Sequence, residues 1–369
     1  MVTFPTAYGE ILKRIDAIDP VAYSRTRNFK DGAVSHLSPY ISRGVISTRF
    51  VMERLIEKGY TFSAMEKFLQ ELAWRDYWQQ VWNAVGDKID EDLQSKQMDV
   101  ENHHLPSSID AANTGINVVD QGISGLKKHG YMHNHMRMYV ASIACNLGKC
   151  HWSIPAKWMY YYLLDGDWAS NALSWQWVAG TNANKKYYAN QENINKYFYS
   201  DQRNTFLDVS YEELFTMDCP EELNEALAPD WYTELPETIP LNIDPSLPTL
   251  IYNYYNMDPQ WRKAEHVNRV LLLEPRLFKT YPVSKQCIEF VRSLKENIRG
   301  LQVYTGSFGE LKSKYVLNEI IFKQHPLNKH YEGTEDPRDW ISSVKGYYGS
   351  FFKFWKQVKK ELKQIVPAN

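Results

Sequence analysis

The most constraining feature of this 369-residue chain is an acidic, proline-studded stretch that separates two different sequence grammars. Residues 201–245 carry twelve carboxylates and one cation, Arg203, and Pro220, Pro229, Pro236, Pro240, Pro245 and Pro248 punctuate the run to its edge. That density of proline leaves room for neither a long helix nor a central strand, so the stretch reads as a connector or wrapping segment. We place a boundary near 240–248. The flanking parts differ in charge, with a net of +1 over 1–200 and +8 over 246–369, so the overall −2 averages three unlike regions. The overall value removes the strongly basic class of nucleic-acid binders while leaving room for a locally basic groove.

Before residue 200 the apolar spacing is helical. Ser42 is placed to cap a helix over about 44–57, and Ser63 opens a long one to about Val85. Further helices are expected over 118–128 with Gly130 as the stop, over 132–147, over 155–164 with Pro155 in its first turn, and over 169–178. Strand-like alternation is scarce. After 248 the pattern changes: Leu250–Tyr255 and Arg269–Glu274 read as strands, Ser284 caps a helix to about Asn297, and Leu301–Thr305 follows as a third strand. This strand–helix–strand order predicts a small α/β unit with parallel pairing. A terminal helix with a basic face is expected over 350–365. The fold class is therefore mostly α, a helical domain over 1–200 joined through a 201–248 connector to a small α/β module over 249–369.

No run of 18 apolar residues is present, and the first residues show no basic segment leading into an apolar one. Neither a membrane span nor a secretory signal is expected. The four cysteines form no Cys-x-x-Cys pair and no disulfide framework, so a reducing, cytoplasmic setting is the default.

Four clusters in the first part are chemically suggestive. Ser35-His36-Leu37-Ser38-Pro39-Tyr40 precedes a helix and offers hydroxyls and backbone N–H groups to a diphosphate, or simply caps the 44–57 helix. Glu71, Trp74, Arg75 and Trp78 fall at i, i+3, i+4 and i+7. They either line a pocket for a planar ring or form a core indole stripe with a local Glu71–Arg75 ion pair. In Tyr131–Met138, Asn134, Arg137 and Met138 share a face. His133 and His135 stand at i, i+2 and are poorly spaced for a metal, so no metal is expected. Leu164-Asp165-Gly166-Asp167-Trp168-Ala169-Ser170-Asn171, continuing to Trp175-Gln176-Trp177, sets two carboxylates before a helix, ready to accept hydrogen bonds. The remainder of a calcium loop is missing.

In this order the four strings resemble the helical FAD-binding domain of the photolyase/cryptochrome family, over roughly residues 5–200. The resemblance implies a folded-back FAD held by Tyr23, Ser35, Leu37, Arg75, Arg137, Asp165, Asp167 and Asn171. Arg137 and Asp165 would lie beside the isoalloxazine ring, Asp167 at its pyrimidine edge and Asn171 opposite N5. Asparagine at that last position is the choice typical of photolyases. On the substrate side, Glu71, Trp74, Asn134, Met138 and Trp177 coincide with the pocket of the cyclobutane-dimer class. Two adjacent histidines usual in the (6-4) class are replaced here by His133-Asn134. The resemblance thus implies UV-damaged DNA as partner, a lesion being cheaper to flip out than an intact base, and light-driven electron transfer from reduced FAD as mechanism. A blue-light photoreceptor of the cryptochrome type is the alternative. A monomer is expected.

Trp175 and Trp152 match the first two members of the family's tryptophan wire. No Trp lies between Trp82 and Trp152, so beyond Trp152 a Tyr or a rerouted path is required. Other departures are Val34 at a usual Thr or Ser, and Ala189 near a usual DNA-contacting Arg, with Arg27, Lys185 and Lys186 left as candidate phosphate contacts. The four-cysteine spacing of the iron–sulfur branch is absent, so no cluster is expected. Family members usually begin with an α/β antenna domain. Residues 249–369 loosely resemble a piece of that domain displaced to the C-terminal side, and no antenna chromophore follows from this.

Overall fold

The computed structural model describes residues 2–183 and 185–367. In chain order its helices are α1 Tyr8–Asp16, α2 Pro20–Thr26, α3 Ser38–Ser42, α4 Thr48–Glu57, α5 Phe62–Val85, α6 Ser107–Ala111, α7 Asn117–His129 and α8 Asn134–Ser142. They continue with α9 Ser153–Tyr162, α10 Trp168–Ala179, α11 Gln191–Phe198, α12 Tyr211–Thr216, α13 Pro275–Thr280, α14 Lys285–Lys295, α15 Phe308–Lys314 and α16 Phe351–Ile365. The strands are β1 Leu105–Pro106, β2 Ala226–Leu227, β3 Pro248–Tyr252, β4 Asn268–Leu273, β5 Leu301–Thr305, β6 Asn318–Lys323 and β7 Thr334–Asp336.

The chain forms two compact units that cross the boundaries expected from sequence. One comprises 1–24, 35–84 and 232–369, and the other 25–34 and 85–231. Helices α1, α4 and most of α5 therefore share a unit with the α/β module instead of completing an all-helical domain over 1–200.

In the first unit, β3 to β7 build an all-parallel sheet in the order β5-β4-β3-β6-β7. Numbered by appearance this is 3-2-1-4-5, a doubly wound arrangement with its switch point between β3 and β6. Its core is aliphatic and aromatic, with Ile251, Val270, Leu272, Phe308, Leu311 and Phe322 in one cluster. The sequence reading missed β6 and β7. It also placed the start of α4 too early: Gly44 adopts φ +63, where a Cβ would meet the Tyr255 carbonyl oxygen at 2.4 Å. The helix begins at Thr48, and the cap is Ser47, whose Oγ accepts from the Phe50 N–H at 2.9 Å, not Ser42. Part of the acidic stretch wraps this unit. The Thr238 hydroxyl donates to the Thr305 carbonyl and accepts the Thr305 N–H on edge strand β5, while Asn242 N–H donates to Gln302 Oε1 at 2.7 Å.

The second unit is helical except for the short antiparallel pair β1–β2. Helix α7 stops at Gly130, which takes φ +67 at the C-cap as the sequence demanded. Helix α8 runs into a π turn over Ile143–Leu147, where Asn146 is buried and donates to the Val178 and Tyr187 carbonyls at 3.1 and 2.7 Å. Helices α8 and α9 both pack on α10, which carries Asn171, Trp175 and Trp177 and is capped by Asp167.

Candidate functional site

In the second unit the candidate residues radiate from the start of α10. Asp167 is its N-cap, with β-region backbone and a carboxylate that accepts from the Ser170 N–H at 3.3 Å. Two residues earlier, Asp165 faces the Arg137 guanidinium of α8, whose Nη2 donates to both carboxylate oxygens at 3.0 and 2.9 Å. Arg137 Nε donates to the Met132 carbonyl at 2.9 Å, so the guanidinium is anchored on two sides. Asp165 is 4% exposed and Asp167 3%, and burial of that degree is tolerable for carboxylates only when they are paired or hydrogen-bonded. Asn171, one turn into α10, is buried and donates from Nδ2 to the Ala156 carbonyl at 2.8 Å, which fixes the amide's orientation. A guanidinium–carboxylate pair, a capping carboxylate and an oriented amide thus cluster at one end of three packed helices.

Met138 is half-buried and Asn134 exposed, on the same side of α8 as Arg137. Trp177 is 38% exposed and lies against Tyr187, with ring centroids 5.8 Å apart. Lys186 is committed to Asp99 at 2.9 Å and to the Met98 carbonyl, while Lys185 is exposed. Arg27 is half-buried; its charge is one of the causes that hold the His135 imidazole below its ordinary pKa, after burial. His133 caps α8 through Nδ1, which accepts from the His135 N–H at 3.2 Å. Among the described residues no cluster of three or more His, Cys, Asp or Glu is placed to hold a metal ion.

Trp175 and Trp152 are both buried, Trp152 completely. Trp152 stands immediately before α9 and donates its indole N–H to Asp92 Oδ1 at 2.8 Å. The ring beside it is His151, 5.7 Å away, which in turn stacks on His103 at 4.7 Å and 25°. Two further buried indoles follow the same rule: Trp158 donates to Asp110 and Trp168 to Asp90, at 2.9 and 2.8 Å. The three aspartates lie 48–78 residues from their indoles in sequence, and no local spacing announces them.

In the first unit the candidates are Tyr23, Ser35, Leu37, Glu71, Trp74 and Arg75. Ser35 lies in the irregular segment ahead of α3, and the buried Leu37 is the N-cap residue of that short helix. Arg75 reaches across from α5, donating to the Ser38 carbonyl at 3.3 Å and to the Ser42 hydroxyl. Tyr23 meets Phe68 edge-on at 5.0 Å. Glu71 pairs with Lys67 at 2.8 Å, one turn back. Trp74 is half-buried beside Trp78, and one of its faces is covered by Phe351 of α16, with ring centroids 3.6 Å apart and planes 11° from parallel. No local spacing announces that stack, because 277 positions separate its partners.

The same unit contains a cleft at the carboxyl ends of β3 and β6, bordered by Asn253, Asn256, Lys323, His325 and Asp76. Burial pushes the Asp76 carboxyl up to about 6, against the lowering effect of nearby Arg338 and of hydrogen bonds from the Ile341 N–H and the Thr48 hydroxyl.

Comparison with known proteins bears on the helical part. Residues 68–212 match the family described as the FAD binding domain of DNA photolyase. A deoxyribodipyrimidine photo-lyase of Streptomyces griseus is 34% identical over 42% of this chain and 34% of its own length. One from Alkalihalophilus pseudofirmus is 31% identical over 44% of this chain and 35% of its own. The chain therefore spans about a third of the length of these curated relatives. The crystal structure of a Synechocystis cryptochrome is 25% identical over 53% of this chain and 44% of its own, with a TM-score of 0.46. Four motifs in family order lie inside or beside the matched stretch, and residues 68–212 are what this chain shares with the FAD binding domain of DNA photolyase.

Proposed function

We propose that the protein is an FAD-dependent enzyme that uses light to split cyclobutane pyrimidine dimers in DNA. The observation that carries this reading is the pair of half-buried Arg137 with buried Asp165, next in sequence to the Asp167 cap and Asn171. The chemistry of this donor set fits a flavin. Carboxylates suit the N–H groups of a pyrimidine edge, a guanidinium suits ring oxygens and developing negative charge, and an amide is neutral toward proton transfer. When bound, FAD supplies the light-excited electron that opens the cyclobutane ring. What the chain's own residues contribute is position and environment. Arg137 and Asp165 hold each other and would set the electrostatics beside a bound flavin, Asp167 would accept hydrogen bonds from its polar edge, and Asn171 would offer a neutral amide in place of a proton donor. Tyr23, Ser35, Leu37 and Arg75 serve the diphosphate and its surroundings. Glu71 and Trp74 in the first unit, and Asn134, Met138 and Trp177 in the second, are the residues assigned to the lesion; Arg27 and Lys185 are assigned to phosphate, and Lys186 only after release from Asp99.

A blue-light receptor without repair activity is the second reading, and one observation favours it: Phe351 lies flat on one face of Trp74, so that face is closed to a stacking pyrimidine. One assay separates the two. Under blue light and with a reductant, the purified flavoprotein should restore intact thymines in an oligonucleotide carrying one dimer. Glu71→Ala should weaken that repair while leaving FAD bound. Photoreduction of FAD without any repair, unchanged by Phe351→Ala, would establish the receptor instead, and a preparation free of flavin would end both readings.

A further inference from the structure

Asp92 and its surroundings give the electron wire an end. Trp152 is fully buried, yet its indole N–H points at a carboxylate that is itself partly open to solvent, with Asp92 18% exposed. Asp92 is held in place from three directions. Its Oδ2 accepts the Gln97 N–H at 2.8 Å, its Oδ1 accepts the Trp152 indole, and His151 Nε2 lies 3.3 Å from the same Oδ1. Gln97 is buried and returns to the same strand of chain, its Oε1 accepting the Trp152 backbone N–H and its Nε2 donating to the Cys150 carbonyl. The 92–95 segment is further tied to the end of α10: the Leu93 N–H donates to Gln176 Oε1, and the Gln94 and Ser95 N–H groups donate to the Thr181 carbonyl. This is a preorganised acceptor aimed at one N–H bond, not a surface carboxylate in chance contact.

The rings next in line beyond Trp152 are His151 and exposed His103. Burial, with His103 as a smaller cause, holds the His151 imidazole below its ordinary pKa, against the opposing pull of Asp92. Imidazole is far harder to oxidise than indole or phenol, so a positive hole reaching Trp152 has no easier site to move to along that stack. Loss of a proton is the remaining way to trap it.

We propose that Trp152 is the terminal electron donor of the wire and that Asp92 accepts its indole proton when it is oxidised. The proposal rests on the flavin-photoreduction reading of Trp175 and Trp152. One electron passes from the Trp152 indole to oxidised Trp175, leaving an indole radical cation. The Nε1–H bond then breaks, its electron pair staying on nitrogen and its proton joining Asp92 Oδ1. The product is a neutral indole radical, which no longer attracts the electron back as a cation does, and Asp92 passes the proton to water. A thiol in solution returns one electron and one proton to Trp152 and resets the wire. The missing third tryptophan is thereby replaced by a base.

The test uses the full-length flavoprotein and three variants. Asp92→Asn keeps an acceptor of the same shape but cannot take a proton. Transient absorption after a blue flash should show the Trp152 radical cation losing its proton at least tenfold more slowly in Asp92→Asn, with net photoreduction in the presence of dithiothreitol falling by a similar factor. Asp92→Glu should recover most of both. In the dark, the Trp152 indole N–H resonance should move upfield in Asp92→Asn, a readout independent of turnover. In the unmodified protein, decay of the radical cation should slow in D₂O, which tests the step even if the variant fails to fold. Trp152→Phe that abolishes photoreduction while Asp92→Asn leaves radical decay unchanged would overturn the role of Asp92 alone. Undiminished photoreduction in Trp152→Phe would overturn the wire itself.

Discussion

Around the parallel sheet the buried side chains are Ile251, Val270, Leu272 and Phe322, whose contacts need no direction. Around α8, α9 and α10 they include Asp165, Asp167, Asn171, Asn146 and Gln176, interleaved with Trp152, Trp158 and Trp168, each indole bonded to an aspartate. The sheet is stabilised by apolar area removed from water, which tolerates small shifts. The helical cluster is stabilised only while every polar group keeps its partner, because a buried polar group left alone costs more than a satisfied one contributes. A protein gains nothing in stability from the second arrangement that the first would not supply more cheaply. On the flavin-binding reading the polar core is the part of the molecule that serves a ligand, and substitutions should separate the two regions by what else they disturb.

The largest effect is expected at Arg137. Arg137→Leu leaves Asp165 buried without its guanidinium, at a cost of about 3–5 kcal/mol, and should release FAD as well. Denaturant titration read together with flavin absorbance checks both losses. If stability falls while FAD stays bound at full occupancy, the pair is purely structural and the contrast between the regions disappears. In the sheet, Leu272→Ala should cost about 2–5 kcal/mol through lost burial and a residual cavity, yet the folded fraction should keep its full share of FAD. Loss of flavin in proportion exceeding unfolding would show that the packing of the sheet itself also shapes the cofactor's environment.

Asp76 is the exception within the sheet's own unit, a fully buried carboxyl bordering the cleft at the switch point. Its folded-state pKa is raised from 3.8 to about 6, so the folded protein binds this proton more tightly than the unfolded chain. The resulting stabilisation is complete below the unfolded value near 4 and is lost as pH rises through about 6, amounting to roughly 2–3 kcal/mol. Asp76→Asn keeps acceptors for Thr48 and the Ile341 N–H and should flatten stability between pH 4 and 7. A variant whose pH profile matches the parent's in that window would assign the dependence to another group.

Much of the helical framework was legible because it follows local rules. Gly130 ends α7 where its left-handed conformation was required, α5 runs almost to the residue from 62 to 85, and Leu301–Thr305 is a strand at its expected limits. The candidate cluster was legible for the same reason, since Asp165, Asp167 and Asn171 fall within one loop and one turn of helix. What stayed hidden is long-range. The α4 start depends on Gly44 passing close to Tyr255, over two hundred positions away. Strands β6 and β7 have only short apolar runs, and parallel neighbours complete them. The Asp92–Trp152 and Phe351–Trp74 contacts join segments with no shared periodicity. The grouping of α1 and α4 with the sheet was likewise invisible to charge and proline content, which mark where a chain changes character but not what it packs against.

The smallest expected change in stability is also the sharpest division between structure and function. Asp167 does two jobs: its side chain caps α10 through the Ser170 N–H, and it places a carboxylate beside Asp165 and Asn171. Serine caps helices about as well as aspartate, so Asp167→Ser retains the first job and removes the second. Stability of the flavin-free protein should change by less than about 1 kcal/mol, because one short polar side chain replaces another at an N-cap. Affinity for FAD should fall at least tenfold, since the hydrogen bond lost is a charge-assisted one, worth about 1.5–3 kcal/mol. Calorimetric titration of the flavin-free variant with FAD, alongside its thermal denaturation, reads both quantities on one sample. Equal loss in the two would make Asp167 an ordinary cap, and the polar core around α10 would then differ from the sheet only in composition. Loss of affinity alone means that the carboxylate is kept for what it holds, at a position where a hydroxyl would serve the fold equally well.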